Sequence, residues 1–167
     1  MIEALSLPCH YKVLLDTDKN SYHFITSGKA EYAVFFQQSN EIFSDTKIDG
    51  ADIYSVSVIK TLTGDGLRDP EVFHTVNQIV EHFFLIKNRI LLYTCDFTDD
   101  RHLLRDRLFN SWYAKSHLNK RLIKLDAALS GEITIKTSLI FDSSNDLGVD
   151  NITESFNEVY EILESSK

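Results

Sequence analysis

The chain has few residues that bend, staple or reshape a backbone: two prolines, six glycines, two cysteines and one tryptophan in 167 residues. No linker rich in Pro or Gly is present, and no low-complexity segment or internal repeat is visible. Two cysteines cannot build a disulfide scaffold. No Cys-x-x-Cys or His-Glu-x-x-His spacing occurs, so no metal site is expected. Positive charge is the scarcer sign, with 17 Lys and Arg against 25 Asp and Glu and a net charge of −8. That balance repels polyphosphate and disfavours non-specific nucleic-acid binding. No run approaches the ~18–20 apolar residues of a membrane-spanning helix. The first ten residues lack the basic start and apolar core of a secretory signal. A cytoplasmic location is therefore expected, with Cys9 and Cys95 as reduced thiols.

What is present is an ordinary globular composition, 43% hydrophobic and 25% charged, rich in Phe and Tyr. Its length fits a single domain over 1–167. Short alternating or apolar runs predict strands at 10–15, 21–26, 31–37, 52–61, 89–95, 120–126 and 132–141, separated by polar or glycine-containing turns. The run at 89–95 is almost continuously apolar, which predicts burial on both faces. Residues 39–51 are polar and read as a loop.

Asp69-Pro70 opens a helix whose stripe is Val72, Val76, Ile79, Val80 and Phe83, because Asp caps orphan N–H groups and Pro suits the first helical position. A second helix is predicted over 99–115, with Leu104, Leu108 and Trp112 facing inward. A last helix is predicted over 151–166, opened by Asn151 with Glu154 as a capping pair. It is either packed on the domain or an appendage that meets a partner. The expected fold is α+β: a mixed, mostly antiparallel sheet of about seven strands with two or three packed helices.

The densest concentration of chemistry is the predicted strand-to-helix junction, where Asp96, Asp99, Asp100, Arg101 and Arg105 crowd beside Trp112. Acidic residues at a helix start and arginines one turn on are also what the helix dipole and i,i+4 pairing select. Read functionally, Arg101 and Arg105 share a face and form a clamp for a carboxylate or another small anion, with Trp112 as an interface anchor. A basic cluster, Lys115, Lys120, Arg121 and Lys124, is either a solvated helix end or a binding patch. Cys95 ends an apolar strand and reads as a buried thiol. No nucleophile elbow or P-loop is present.

The stretch from Tyr22 to Phe36, the Asp69-Pro70 helix ending in Phe83-Phe84, and the series Tyr93-Thr94-Cys95-Asp96, Asp99-Asp100-Arg101, Arg105, Leu108-Phe109 and Trp112 resemble a small family of uncharacterised bacterial proteins typical of Bacteroidota. That family tends to have glycine where this chain has Asp100. The resemblance covers over half the chain and implies no activity. Separately, the predicted order of a meander plus strand, helix, strand, helix and two strands looks like the second half of the GCN5-related acetyltransferase fold. In that fold, pyrophosphate is cradled by backbone N–H groups ahead of a helix. Here Thr61-Leu62-Thr63-Gly64-Asp65-Gly66 has both glycines, Gly64 and Gly66, but threonine at the lead position, and Asp65, Asp69 and Glu71 crowd it with negative charge.

Two functions follow. The first is a binding or interaction module without a cofactor, contacting a protein partner, a small anionic ligand or a second copy of the chain. The alternative is an acetyl-CoA-dependent N-acyltransferase, active or degenerate, with CoA at Gly64 and Gly66.

Overall fold

The computed structural model describes residues 1–65, 68–95, 110, 111, 113–129 and 135–165. Eight strands are formed: β1 (Ile2–Leu5), β2 (Val13–Asp16), β3 (Ser21–Ile25), β4 (Glu31–Gln38), β5 (Ile53–Leu62), β6 (Ile90–Cys95), β7 (Leu122–Leu129) and β8 (Ile135–Asp142). The fold is α+β, and its mixed sheet runs in the order β1-β2-β3-β4-β5-β6-β8-β7. There is one strand more than the expected seven. The extra one is β1, a nearly fully exposed edge strand that carries no inside–outside alternation to betray it. Its pairing with β2, from Ile2 opposite Asp16 to Leu5 opposite Val13, supplies the order instead.

Contacts divide the chain into two compact units, Met1–Gln37 with Ser55–Leu85, and Gln38–Tyr54 with Ile86–Lys167. In the first unit, strand alternation puts Tyr22, Phe24, Val34 and Phe36 on one face, and all four are buried. The helix Pro70–Phe83 covers that face with Ile79, Val80 and Phe83. Phe83 stacks on Phe36 at 4.4 Å between ring centroids, and the Tyr22 hydroxyl meets His82 Nδ1 at 3.1 Å. The helix begins as its sequence predicts: Asp69 accepts from the Glu71 N–H at 2.9 Å, and Pro70 follows as the first helical residue. Thr75 is buried inside the helix because its hydroxyl donates to the Glu71 carbonyl.

In the second unit, Ile90 to Tyr93 are all buried, matching the expectation for a strand covered on both faces. β8 lies between β6 and β7, antiparallel to both. The helix Val149–Ser165 lays Ile152, Phe156 and Tyr160 into the core with Phe43, Ile53, Ile90, Leu92, Leu139 and Phe141. It is part of this core, not an appendage. It also starts two residues before the expected Asn151. The Asn151 amide donates to the Leu147 carbonyl at 2.8 Å, and Glu154 reaches Lys47 instead of closing a capping box. Chain reversal is made by Asn145, which accepts from the Leu147 N–H, and by Gly148 at a φ of 86°. The predicted loop at 39–51 contains a short helical turn, Asn40–Phe43, and buries Phe43, Ile48 and Ala51. These isolated apolar residues have no period to flag them.

Two measurements test this packing. Phe156→Ala should cost about 3–5 kcal/mol in urea unfolding, the usual price of an aromatic cavity. Asp146 is held below the ordinary carboxylate range by hydrogen bonds from Lys87 and Asn88. A depressed carboxyl stabilises the fold above its unfolded value and loses that contribution as pH falls through the folded one. Wild type should therefore melt above Asp146→Asn at neutral pH, and the two melting temperatures should converge in acid.

Candidate functional site

Asp96, Asp99, Asp100, Arg101, Arg105 and Trp112 lie outside the described residues, as does Gly66. Gly64 is described, and the reason for its glycine is steric. A Cβ there would stand 2.2 Å from the Gly28 carbonyl oxygen and 2.6 Å from the Ala30 nitrogen. The Asp65 N–H donates to that same Gly28 oxygen at 3.0 Å. The loop after β5 is thus clamped on the β3–β4 turn, which is itself closed by Thr26 accepting from the Ala30 N–H and by Lys29 at a φ of 62°. At Gly28 the atoms nearest an added Cβ are those of the exposed Asp65 carboxylate, at 2.5 Å, a side-chain end that can move aside.

The clamp delivers the chain to the start of the Pro70 helix. There Asp69 also accepts from the Tyr11 hydroxyl. The end of the helix that would attract a phosphate is thus already served by a carboxylate of the chain itself. Beside it opens a cleft of about 270 Å³, walled by Tyr11, Tyr32, Lys60, Asp65, Arg68 and Pro70. Sequence reading found Gly64 and Asp69 but missed the cleft, because Tyr11, Tyr32 and Lys60 come from three separate strand regions.

Two members of the basic cluster form internal pairs. Arg121 Nε donates to the buried Asp142 carboxylate at 2.7 Å. The Lys124 side chain is 6% exposed and paired with Asp126. Ser138 donates to the same Asp126 oxygen, and the Lys124 ammonium lies 6.0 Å from the Tyr93 ring centroid. Arg121 and Lys124 therefore serve the fold and do not form a patch with Lys115 and Lys120. The Tyr113 hydroxyl donates to the Leu122 carbonyl, and burial pushes its ionisation upward.

A serine–histidine pair was also invisible to motif reading. Ser21 Oγ and His23 Nε2 lie 2.9 Å apart, yet Ser21 is fully buried on its strand and has no route to a substrate. Cys9 keeps its thiol above the ordinary range, chiefly through burial, and approaches the Tyr11 carbonyl at 3.3 Å, so it lacks thiolate character. Among the described residues, no group of three or more His, Cys, Asp or Glu is arranged to hold a metal. Among the same residues, no helix is long and apolar enough to cross a membrane.

The chain belongs to a family of unknown function, DUF6169, whose model matches residues 68–158. A search of curated proteins finds no match. Among solved structures the chain is similar to a CoA-dependent acyl-homoserine lactone synthase, MesI, with 14% identity and a TM-score of 0.38 over 95% of this chain and 78% of that one. That likeness is too remote to define an activity.

Replacing Gly64 by alanine should destabilise the protein by about 1–3 kcal/mol, the usual cost of forcing an atom into packed backbone. The exposed Thr63→Ala should stay within about 0.5 kcal/mol of wild type. Chemical denaturation of both variants gives the comparison.

Proposed function

We propose that the protein is a binding module, not a CoA-dependent acyltransferase. The observation that carries this reading is the clamp: Gly64 is required by the Gly28 carbonyl, and the Asp69 carboxylate occupies the helix start. Gly64, the first glycine of the pattern that suggests a pyrophosphate cradle, thus has an explanation in packing. A pyrophosphate at this loop would also have to approach Asp65, Asp69 and Glu71, at a cost in like-charge repulsion. In this reading the module contacts a protein partner, a small anionic ligand or a second copy of the chain. Arg101, Arg105, their neighbouring acids Asp96, Asp99 and Asp100, and Trp112 form the contact surface, as their sequence pattern suggests. The module works without a cofactor.

The acyltransferase alternative rests on the order of helices and strands, and fold alone does not give function. The two readings separate cleanly in a thermal-unfolding assay with acetyl-CoA and CoA. A ligand at 100 times its dissociation constant stabilises by about 2.7 kcal/mol, which is a rise of a few degrees for a domain of this size. The module reading expects no shift, together with a partner or self-association signal that weakens in Arg101→Ala and Arg105→Ala. A clear CoA-dependent shift would overturn it.

A further inference from the structure

We propose that the cleft beside the Pro70 helix binds a small organic monocarboxylate with an aromatic or apolar body, its two oxygens shared between Lys60 and Arg68. The proposal rests on the binding-module reading and deepens it, giving the small anionic ligand a chemistry and a site away from the charged junction. All the lining residues belong to the first compact unit.

The charges of the cleft are unevenly committed. Its two carboxylates, Asp65 and Asp69, are both engaged by the chain itself. Asp69 accepts from the Glu71 N–H and the Tyr11 hydroxyl, at a helix start whose dipole also favours its charge. Asp65 lies against the Gly28 turn and already has an interaction within the chain. The two cations of the cleft, Lys60 and Arg68, are exposed. Neither forms a salt bridge among the described residues, although the chain holds 25 acids against 17 bases. Two unanswered cations therefore line one space in an acidic protein.

A carboxylate answers both. Its two oxygens accept charge-assisted hydrogen bonds from a guanidinium and an ammonium at once. One negative charge also suits the setting better than several. Asp65 and Asp69 stay in the walls, and the whole chain carries −8. A phosphate dianion or a pyrophosphate would meet proportionally more repulsion from both than a monoanion does. A cationic ligand would face the two basic groups and find both acids already engaged.

The remaining wall sets the ligand's body. Tyr11 and Tyr32 stack on either side of the buried Phe24, with centroids 6.0 Å and 5.2 Å from it and planes tilted by 10° and 8°. That stack holds both tyrosines in place at the cleft. The Lys60 ammonium lies 5.8 Å from the Tyr32 centroid, so cation and ring adjoin. With Ala30, Pro70 and Val72 the tyrosines give an apolar side to an otherwise charged cleft. At about 270 Å³ the space lies just below the ~300–1,000 Å³ of most ligand pockets. A carboxylate carrying a single ring or a short apolar chain is the scale of ligand it fits.

The test is an NMR titration of the intact chain, followed by backbone amide shifts and run without any cofactor. The probes are phenylacetate, phenylacetamide, which keeps the ring and loses the charge, acetate, which keeps the charge and loses the ring, and inorganic phosphate. We expect saturable shifts with phenylacetate at Thr26, Ala30, Lys60, Arg68 and Val72. Phenylacetamide and acetate should each bind at least about tenfold more weakly, as loss of a charged hydrogen bond or of a buried ring implies. Phosphate should bind more weakly than phenylacetate. Lys60→Gln and Arg68→Gln, both at exposed positions, should weaken phenylacetate by a similar factor and leave phenylacetamide unchanged, a selectivity that general loosening of the loop would not produce. Equal binding of phenylacetate and phenylacetamide, tighter binding of phosphate, or no saturable shift with phenylacetate would overturn the proposal. CoA binding in the thermal assay would sink the module reading without touching these titrations, so the two failures are distinguishable.

Discussion

The close approach of Gly64 to the Gly28 carbonyl fixes the geometry of one end of the first unit. One backbone segment reaches another at a distance no side chain tolerates, and the Asp65 N–H secures the contact. From there the chain can turn into Asp69 and Pro70 with the capping carboxylate already in place. Lys60 and Arg68 both line the cleft beside that helix. A glycine that looks like a ligand-binding signature is therefore first a packing requirement. Its chemistry lies in the charged residues it brings together.

In the second unit, Arg121 pairs with the buried Asp142, the buried Lys124 with Asp126, and Lys87 with Asp146 at the surface. The buried Lys124 stem and the buried Asp142 carboxylate need such partners, since an unpaired buried charge is far more costly than a paired one. In the first unit, Lys60 and Arg68 are left in a cleft with no internal salt bridge among the described residues.

The legible parts of the fold were those with a period or a cap. Asp69-Pro70 announced its helix, and Ile90 to Tyr93 announced a strand covered on both sides. β1 was illegible because an exposed edge strand has no inside–outside pattern. Phe43 and Ile48 were illegible because their burial is set by distant residues. Asn151 was misread as a cap because its amide finds the Leu147 carbonyl one turn earlier. The cleft could not be seen in the sequence at all. Tyr11, Tyr32, Lys60 and Arg68 share no local motif, and only strand register and the glycine clamp place them together. The junction from Asp96 to Arg105 and Trp112 stands on its sequence pattern.

The central claim is that the loop at Gly64 is a structural clamp beside a carboxylate-binding cleft, and not a cofactor cradle. A crystal structure of the full chain grown with both phenylacetate and acetyl-CoA tests it most directly. The account predicts phenylacetate ordered between Lys60 and Arg68, with Gly64 still packed on Gly28 and no nucleotide at the loop. Acetyl-CoA ordered with its pyrophosphate on the backbone around Gly64, and an empty cleft, would contradict it.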